Sequence, residues 1–257
     1  MKRFITAVLL TLPLFSSYAQ QPADSNMETG KPSAPKVIFF DVNETLLDLT
    51  AMRSSVGEAL GGRNELLPLW FSTMLHHSLV DSTTQRFHTF GEIGVASLLM
   101  VSEIEGISLT QKQAKTAIVT PLRSLPPHPD VRSGLQALKD KGYTLVSLTN
   151  SSNKGVYTQF KNADLLDFFE HRLSVEDINL YKPDLRTYAW AAEKMGVKPE
   201  DAMLVAAHGW DIAGAKQAGW QAAFIARPGK VLYPLAIAPD YNVNDLNELV
   251  DMLPKQQ

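Results

Sequence analysis

Lys36-Val-Ile-Phe-Phe-Asp-Val-Asn-Glu-Thr-Leu-Leu-Asp48 is the stretch from which the rest of the chain can be read. Val37, Ile38, Phe39 and Phe40 run without interruption into a carboxylate, Asp41. An apolar run of this kind predicts a strand buried on both faces, as in a parallel sheet. Asp41 then stands at the carboxyl end of that strand, where open α/β sheets form their ligand crevice. A carboxylate there is poorly solvated unless something uses it. Read alone, Asp41 could equally cap a turn or a helix. The other strand ends must decide.

Beyond residue 128 the chain alternates helix and strand. Helices are expected over 131–141, 153–163, 183–195, 211–218 and 244–253, and strands over 144–148, 171–175, 202–207 and 221–226. Gly142, Gly196 and Gly219 end three of the helices, as glycine does past a helix C-terminus. Strands alternating with helices of this length predict a doubly wound parallel sheet with right-handed crossovers, a Rossmann-type α/β core. Residues 51–127 differ. Leu66, Leu67, Trp70, Met74 and Leu75 recur at helical spacing, 93–104 repeats the pattern, and Ser108-Leu-Thr-Gln-Lys-Gln reads as a helix start. Pro126-Pro-His-Pro129 closes the segment. The expected organisation is a core of 36–50 and 128–257, with 51–127 inserted as a helical cap over the strand ends.

At the amino end, Lys2 and Arg3 precede an apolar run from Phe4 to Phe15, and Ser17-Tyr-Ala19 supplies small residues for cleavage. This is the pattern of an export signal over residues 1–19, too short for a comfortable membrane span. Residues 20–35 are polar and contain Pro22, Gly30, Pro32 and Pro35, a linker. The expected location is periplasmic or secreted, with no membrane attachment after cleavage. The 257 residues are 45% hydrophobic, enough for a sizeable core. A net charge of −3 argues against nucleic acid as a partner. The absence of cysteine excludes disulfides, thiolate catalysis and cysteine-based metal centres. A small-molecule substrate is the expected partner, and a homodimer is compatible with the reading.

Polar groups fall just beyond four predicted strands: Asp41, Thr149-Asn150, Lys182 and Asp211. Singly, each has a plain explanation. Thr149-Asn150 could cap a helix, Lys182 could be a solvated loop lysine, and any Asp is favourable at a helix start. Together, at ends that converge on one crevice, they supply a nucleophile, an orienting pair, a charge-neutralising cation and a water-activating base.

This arrangement resembles the haloacid dehalogenase superfamily. Asp41-Val-Asn-Glu-Thr-Leu-Leu-Asp48 matches the first motif, with Thr45 four residues after the nucleophile. Leu148-Thr-Asn150 matches the second, and Tyr181-Lys-Pro-Asp184 with Tyr188 the third. Val205-Ala-Ala-His-Gly-Trp-Asp211 opens the fourth. Superfamily phosphatases usually carry a second Asp where this chain has Asn43, and a magnesium-holding Asp where it has Ala207. The third motif and the Trp-Asp of the fourth look instead like the 2-haloacid dehalogenase branch. That resemblance implies no metal and no cofactor; magnesium would enter only if the chain were a phosphatase. It implies that Asp41 displaces halide, that the resulting aspartyl ester is hydrolysed by water oriented by Asp211, and that Lys182 holds the carboxylates. Thr149 and backbone amides would receive the substrate carboxylate, and Asn150 would face the leaving halide.

The chain departs from that branch. Leu69-Trp70 is followed by Phe71 rather than by the Arg that cradles the halide. Losing such a cation typically costs about 2–4 kcal/mol of transition-state stabilisation. Arg53, Arg63, His76, His77 and His208 are the candidate replacements, with His208 best placed at a strand end. A metal at His76-His77 is disfavoured for want of further ligands. Asn43 stands where the branch has an aromatic; with Thr45, Tyr188 and His208 it is expected to face the substrate, and Phe71 to line an apolar pocket. Glu44 stands where the family has a small Gly and would crowd the nucleophile. The expected function is hydrolytic, metal-independent dehalogenation of a 2-haloacid-like carboxylate. The alternatives are a magnesium-dependent phosphatase or phosphonatase, and a non-catalytic periplasmic binding protein on the same fold.

Overall fold

The computed structural model describes residues 33–256, so the expected export signal and most of the linker lie outside the described residues. Its centre is β1 (Val37–Phe40). Val37 and Phe39 point into one apolar core, Ile38 and Phe40 into a second on the other face. This is the two-sided burial that an unbroken apolar run implies. The other strands are β2 (Thr144–Thr149), β3 (His171–Ser174), β4 (Ala202–Ala206), β5 (Gln221–Ile225) and β6 (Tyr241–Val243). They form one parallel sheet in the order β3-β2-β1-β4-β5-β6. The chain moves outward from β1 on both sides, so the strand order reverses there and β1 borders the ligand crevice.

The inserted segment is helical throughout: α1 (Arg53–Ala59), α2 (Leu67–Thr83), α3 (Phe90–Ile104) and α4 (Gln111–Leu122), with short 3-10 turns between. Capping boxes start two of them, Thr89 with Glu92 and Thr110 with Gln113. Each satisfies two backbone donors that a helix start otherwise leaves open. The second begins at Gln111, within the stretch from Ser108 to Gln113 that reads as a helix start. Trp70 is fully buried and donates to Gly94 O at 2.8 Å. A Cβ on Gly94 would lie 2.9 Å from Met74 Sδ, so a glycine lets α2 and α3 approach.

The core helices are α5 (Val131–Asp140), α6 (Asn153–Asn162), α7 (Leu185–Lys194), α8 (Gly209–Gln217) and α9 (Leu246–Met252). Three begin away from their expected starts, α9 among them, at Leu246 rather than 244 because Asp245 accepts Glu248 N and acts as the cap. α7 starts at Leu185 rather than 183, because Asp184 turns its carboxylate onto Arg186 N and acts as the cap. α8 starts at Gly209, which puts Asp211 inside the first turn rather than at its boundary. Strand β6 was not expected. It is three residues long with only Val243 buried, so no apolar run announces it. No helix among the described residues is long and apolar enough to cross a membrane.

Candidate active site

Asp41 N still bonds Val205 O at 3.0 Å, so the nucleophile candidate leaves the sheet with its backbone paired. Its carboxylate sits among donors. Thr45 Oγ1 donates to Oδ2 at 2.6 Å, and His208 Nδ1 lies 3.0 Å from the same oxygen. Lys182 Nζ donates to Oδ1 at 3.1 Å. Thr45 Oγ1 in turn accepts Ala207 N at 2.9 Å. Burial alone would push the Asp41 carboxyl up; Lys182, His208 and Thr45 outweigh it and hold the group well below the usual carboxylate range. Asp41 is therefore ionised, as a nucleophile must be.

Lys182 Nζ also meets Asp211 Oδ2 at 2.5 Å, and neither side chain is exposed. Burial disfavours the ammonium, but two adjacent carboxylates raise its affinity for the proton. Asp211 goes the other way. Burial and the nearby Asp41 charge push its carboxyl up, against the pull of Lys182 and Tyr188. Two carboxylates beside one ammonium are thus driven apart, one toward ionisation and one toward accepting a proton. Tyr188 Oη donates to Asp211 Oδ1 at 2.6 Å from a fully buried ring. It orients Asp211 rather than facing open space. Glycine makes this possible: a Cβ on Gly214 would lie 2.5 Å from Tyr188 Oη and 2.7 Å from Pro183 Cβ.

The second strand end contributes Thr149 and Asn150. Thr149 Oγ1 accepts Ser151 N at 3.1 Å, so its own hydroxyl hydrogen remains to donate. Asn150 Oδ1 accepts Lys182 N at 3.1 Å, which turns its amide Nδ2 away. That Nδ2 is buried without a partner, and so is Trp210 Nε1. The Trp210 ring stacks on His208 at 5.1 Å, and Lys182 Nζ lies 5.8 Å from its centroid. Buried donors without acceptors are rare, and these two are free to take an acceptor from a bound ligand.

Asn43 lies apart from this group. Its Nδ2 donates to Ser151 Oγ at 3.0 Å and its Oδ1 accepts Gln159 Nε2 at 2.8 Å, which ties the Asp41 loop to α6. Phe71 is buried and stacks on His208 at 6.2 Å. Arg53 and His76 are exposed, Arg63 pairs with Glu65 and Glu105, and His77 bonds Thr73 O. None of those four joins the Asp41 cluster.

Glu44 is a correction to the sequence reading. It does not crowd Asp41. It takes φ 63° and turns its carboxylate onto His208 Nε2 at 2.9 Å and Lys230 Nζ at 2.6 Å. His208 therefore has both ring nitrogens engaged, between Asp41 and Glu44. Burial would strip its proton, but the two carboxylates prevail and raise its pKa to about 9. Lys230 and Arg227 went unread, since both lie in the loop after β5, far along the chain from the motifs. Arg227 Nη1 bonds Asp130 Oδ1 at 2.7 Å and its Nε donates to Thr45 O at 3.1 Å, pinning the loop after Asp41.

The cluster does not suit a divalent cation. Magnesium requires a near-octahedral oxygen set. Here Ala207 offers no side-chain oxygen, and a lysine ammonium already bridges the two carboxylates.

The family model for haloacid dehalogenase-like hydrolases matches residues 35–219. The (S)-2-haloacid dehalogenase of Pseudomonas sp. (strain YL) is 30% identical over 218 residues, 84% of this chain and 94% of that protein. The L-2-haloacid dehalogenase from Xanthobacter autotrophicus is similar in structure, with TM-score 0.78 and 25% identity over 85% of this chain and 98% of that one. Its structure with chloropropionic acid covalently bound gives TM-score 0.79 at 24% identity, over the same shares.

Proposed function

The chain belongs to the haloacid dehalogenase-like hydrolases, and on that premise we propose that it removes halide from a 2-haloacid-like carboxylate through an ester on Asp41. One observation carries the reading: Lys182 Nζ bridges Asp41 and Asp211, at 3.1 and 2.5 Å. The bridge keeps an ionised nucleophile beside a carboxyl whose proton affinity is raised, with no metal between them. Asp41 attacks the halogen-bearing carbon and the carbon–halogen bond breaks with its electron pair. Water then attacks the ester and gives its proton to Asp211, which Tyr188 orients. Covalent capture of chloropropionic acid by the Xanthobacter enzyme supports the ester.

The altered halide cradle is the feature peculiar to this chain. Phe71 replaces a cation, and His208 cannot take its place while both ring nitrogens are held. The Asn150 Nδ2 and Trp210 Nε1 donors, buried and without partners, are assigned to the departing halide. Thr149, with a hydroxyl hydrogen to donate, is assigned to the substrate carboxylate. The reaction is proposed to run in the periplasm or outside the cell, because residues 1–19 carry the pattern of an export signal.

The test is halide release from 2-chloropropionate in the presence of EDTA, with mass spectrometry of the Asp41 peptide during turnover. The expected result is chloride release unaffected by EDTA and an adduct that Asp41→Asn abolishes. Release only with added magnesium, or phosphate-ester hydrolysis in its place, would sink the proposal in favour of the phosphatase reading.

A further inference from the structure

The two oxygens of Asp41 are not equivalent. Oδ1 accepts one hydrogen bond, from Lys182 at 3.1 Å. Oδ2 accepts two, from Thr45 Oγ1 at 2.6 Å and His208 Nδ1 at 3.0 Å. A carboxylate oxygen offers about two in-plane acceptor sites. Oδ2 has both filled, while Oδ1 keeps one lone pair for attack. If Oδ1 forms the bond to substrate carbon, Oδ2 becomes the carbonyl oxygen of the ester. Its two donors then lie where negative charge develops when water adds to Cγ. That is the geometry of an oxyanion hole, with donors preorganised in a site closed to bulk water.

The imidazole is held there by its neighbours. Phe71 and Trp210 both stack on the ring, with centroids at 6.2 and 5.1 Å. Glu44 Oε2 takes Nε2 at 2.9 Å, and Lys230 Nζ secures the other Glu44 oxygen at 2.6 Å. The charged groups facing the ring are thus Asp41 and Glu44 directly, Lys230 through Glu44, and Lys182 with Asp211 through Asp41. Once Asp41 is esterified it loses its charge, and the imidazolium is left with Glu44 as its one contacting anion. Its Nδ1 hydrogen is then free to follow the charge that builds on Oδ2.

We propose that His208 Nδ1–H and the Thr45 hydroxyl form the oxyanion hole for hydrolysis of the Asp41 ester, with Glu44 and Lys230 as positioning residues that hold the ring against it. The proposal rests on the dehalogenase reading above. Water oxygen bonds to Cγ, its proton passes to Asp211, and the carbonyl pair moves onto Oδ2. The pair returns as the Cγ–Oδ1 bond breaks. The alkoxide that leaves with Oδ1 takes a proton from Lys182 Nζ, which regains one from Asp211. Asp41 recovers an oxygen from water and loses its carboxyl proton to solvent. The sum is haloacid and water giving hydroxy acid, halide and a proton.

The role predicts a split between steps. With 2-chloropropionate in quench-flow, His208→Gln should keep the first-turnover chloride burst within about threefold, because the attacking oxygen is untouched. Ester hydrolysis should fall by about 10²-fold or more, the usual loss for one oxyanion donor, and the Asp41 adduct should accumulate. A slowed burst with no adduct would overturn the assignment. Lys230→Met, at the edge of the site, should give a smaller accumulation while folding normally. Nitrogen NMR of His208 tests the positioning half without any substrate. The imidazolium should persist to about pH 9 in the unaltered protein and lose its proton at lower pH in Glu44→Gln, where one of its two carboxylates is gone. An unchanged midpoint in Glu44→Gln would remove Glu44 from the proposal, and with it Lys230, which reaches the ring only through Glu44. Failure of the unaltered protein to release any chloride would refute the dehalogenase reading, and with it the oxyanion hole; the histidine titration would still decide the Glu44–Lys230 arrangement.

Discussion

The Lys182 ammonium and the Asp211 carboxylate meet at 2.5 Å with neither side chain exposed. A buried pair of this kind contributes little net stability when intact but costs heavily when halved. Lys182→Met should destabilise the protein by about 3–5 kcal/mol at neutral pH, because it strands Asp41 and Asp211 together without a cation. The penalty should shrink at pH 5, where protonating one carboxylate relieves the repulsion. Urea melts at both pH values check this, and an equal loss at both would contradict the electrostatic account.

The stability of the site should depend on pH in a defined direction. His208 has its pKa raised from 6.5 to about 9 on folding, against the cost of burial, by Asp41 and Glu44. Its contribution is therefore full below pH 6.5 and lost as pH rises through about 9. It is on the order of 3 kcal/mol. Asp41 and Glu44 are shifted down, so their contribution is present above the ordinary carboxylate range and lost as acid titrates them. Melting temperatures between pH 5 and 10 should decline on the alkaline side, and His208→Gln should flatten that decline.

Gly214 faces Tyr188 with no room for a methyl group. Gly214→Ala should cost about 1–3 kcal/mol by overpacking. It should also displace Tyr188 from Asp211 and so lower turnover more than substrate affinity. Thermal unfolding and steady-state kinetics measure the two effects separately.

Arg227 joins Asp130 to the carbonyl of Thr45, with both side chains below a tenth exposed. Arg227→Met should destabilise by about 3 kcal/mol, since Asp130 keeps its charge without the guanidinium. Arg227→Met with Asp130→Asn should recover part of the loss. A double variant as unstable as the sum of the singles would mean the pair is not coupled.

Glu44 shows where local reading stops. Its positive φ could be inferred from the turn position, where a glycine is the expected residue. Its purpose could not, because its partners His208 and Lys230 lie 164 and 186 residues further on. His208 was visible as a strand-end histidine, yet its two carboxylate partners exclude the halide-binding role that its position suggested. Asn43 was read toward substrate and is held by Ser151 and Gln159. Trp210 stood in plain view within a motif, but only its buried, unpartnered Nε1 marks it as a donor.

The apolar run before Asp41, the helix–strand alternation and the polar residues at four strand ends were legible in the sequence. Each is a local pattern imposed by two-sided strand burial and by the geometry of parallel sheets. Which carboxylate oxygen is left open, which ring nitrogen faces it, and which cation holds the second carboxylate are contacts between residues far apart in sequence. Only the packed structure decides them, because in a closed site the partners rather than the residue types determine where charge and protons reside.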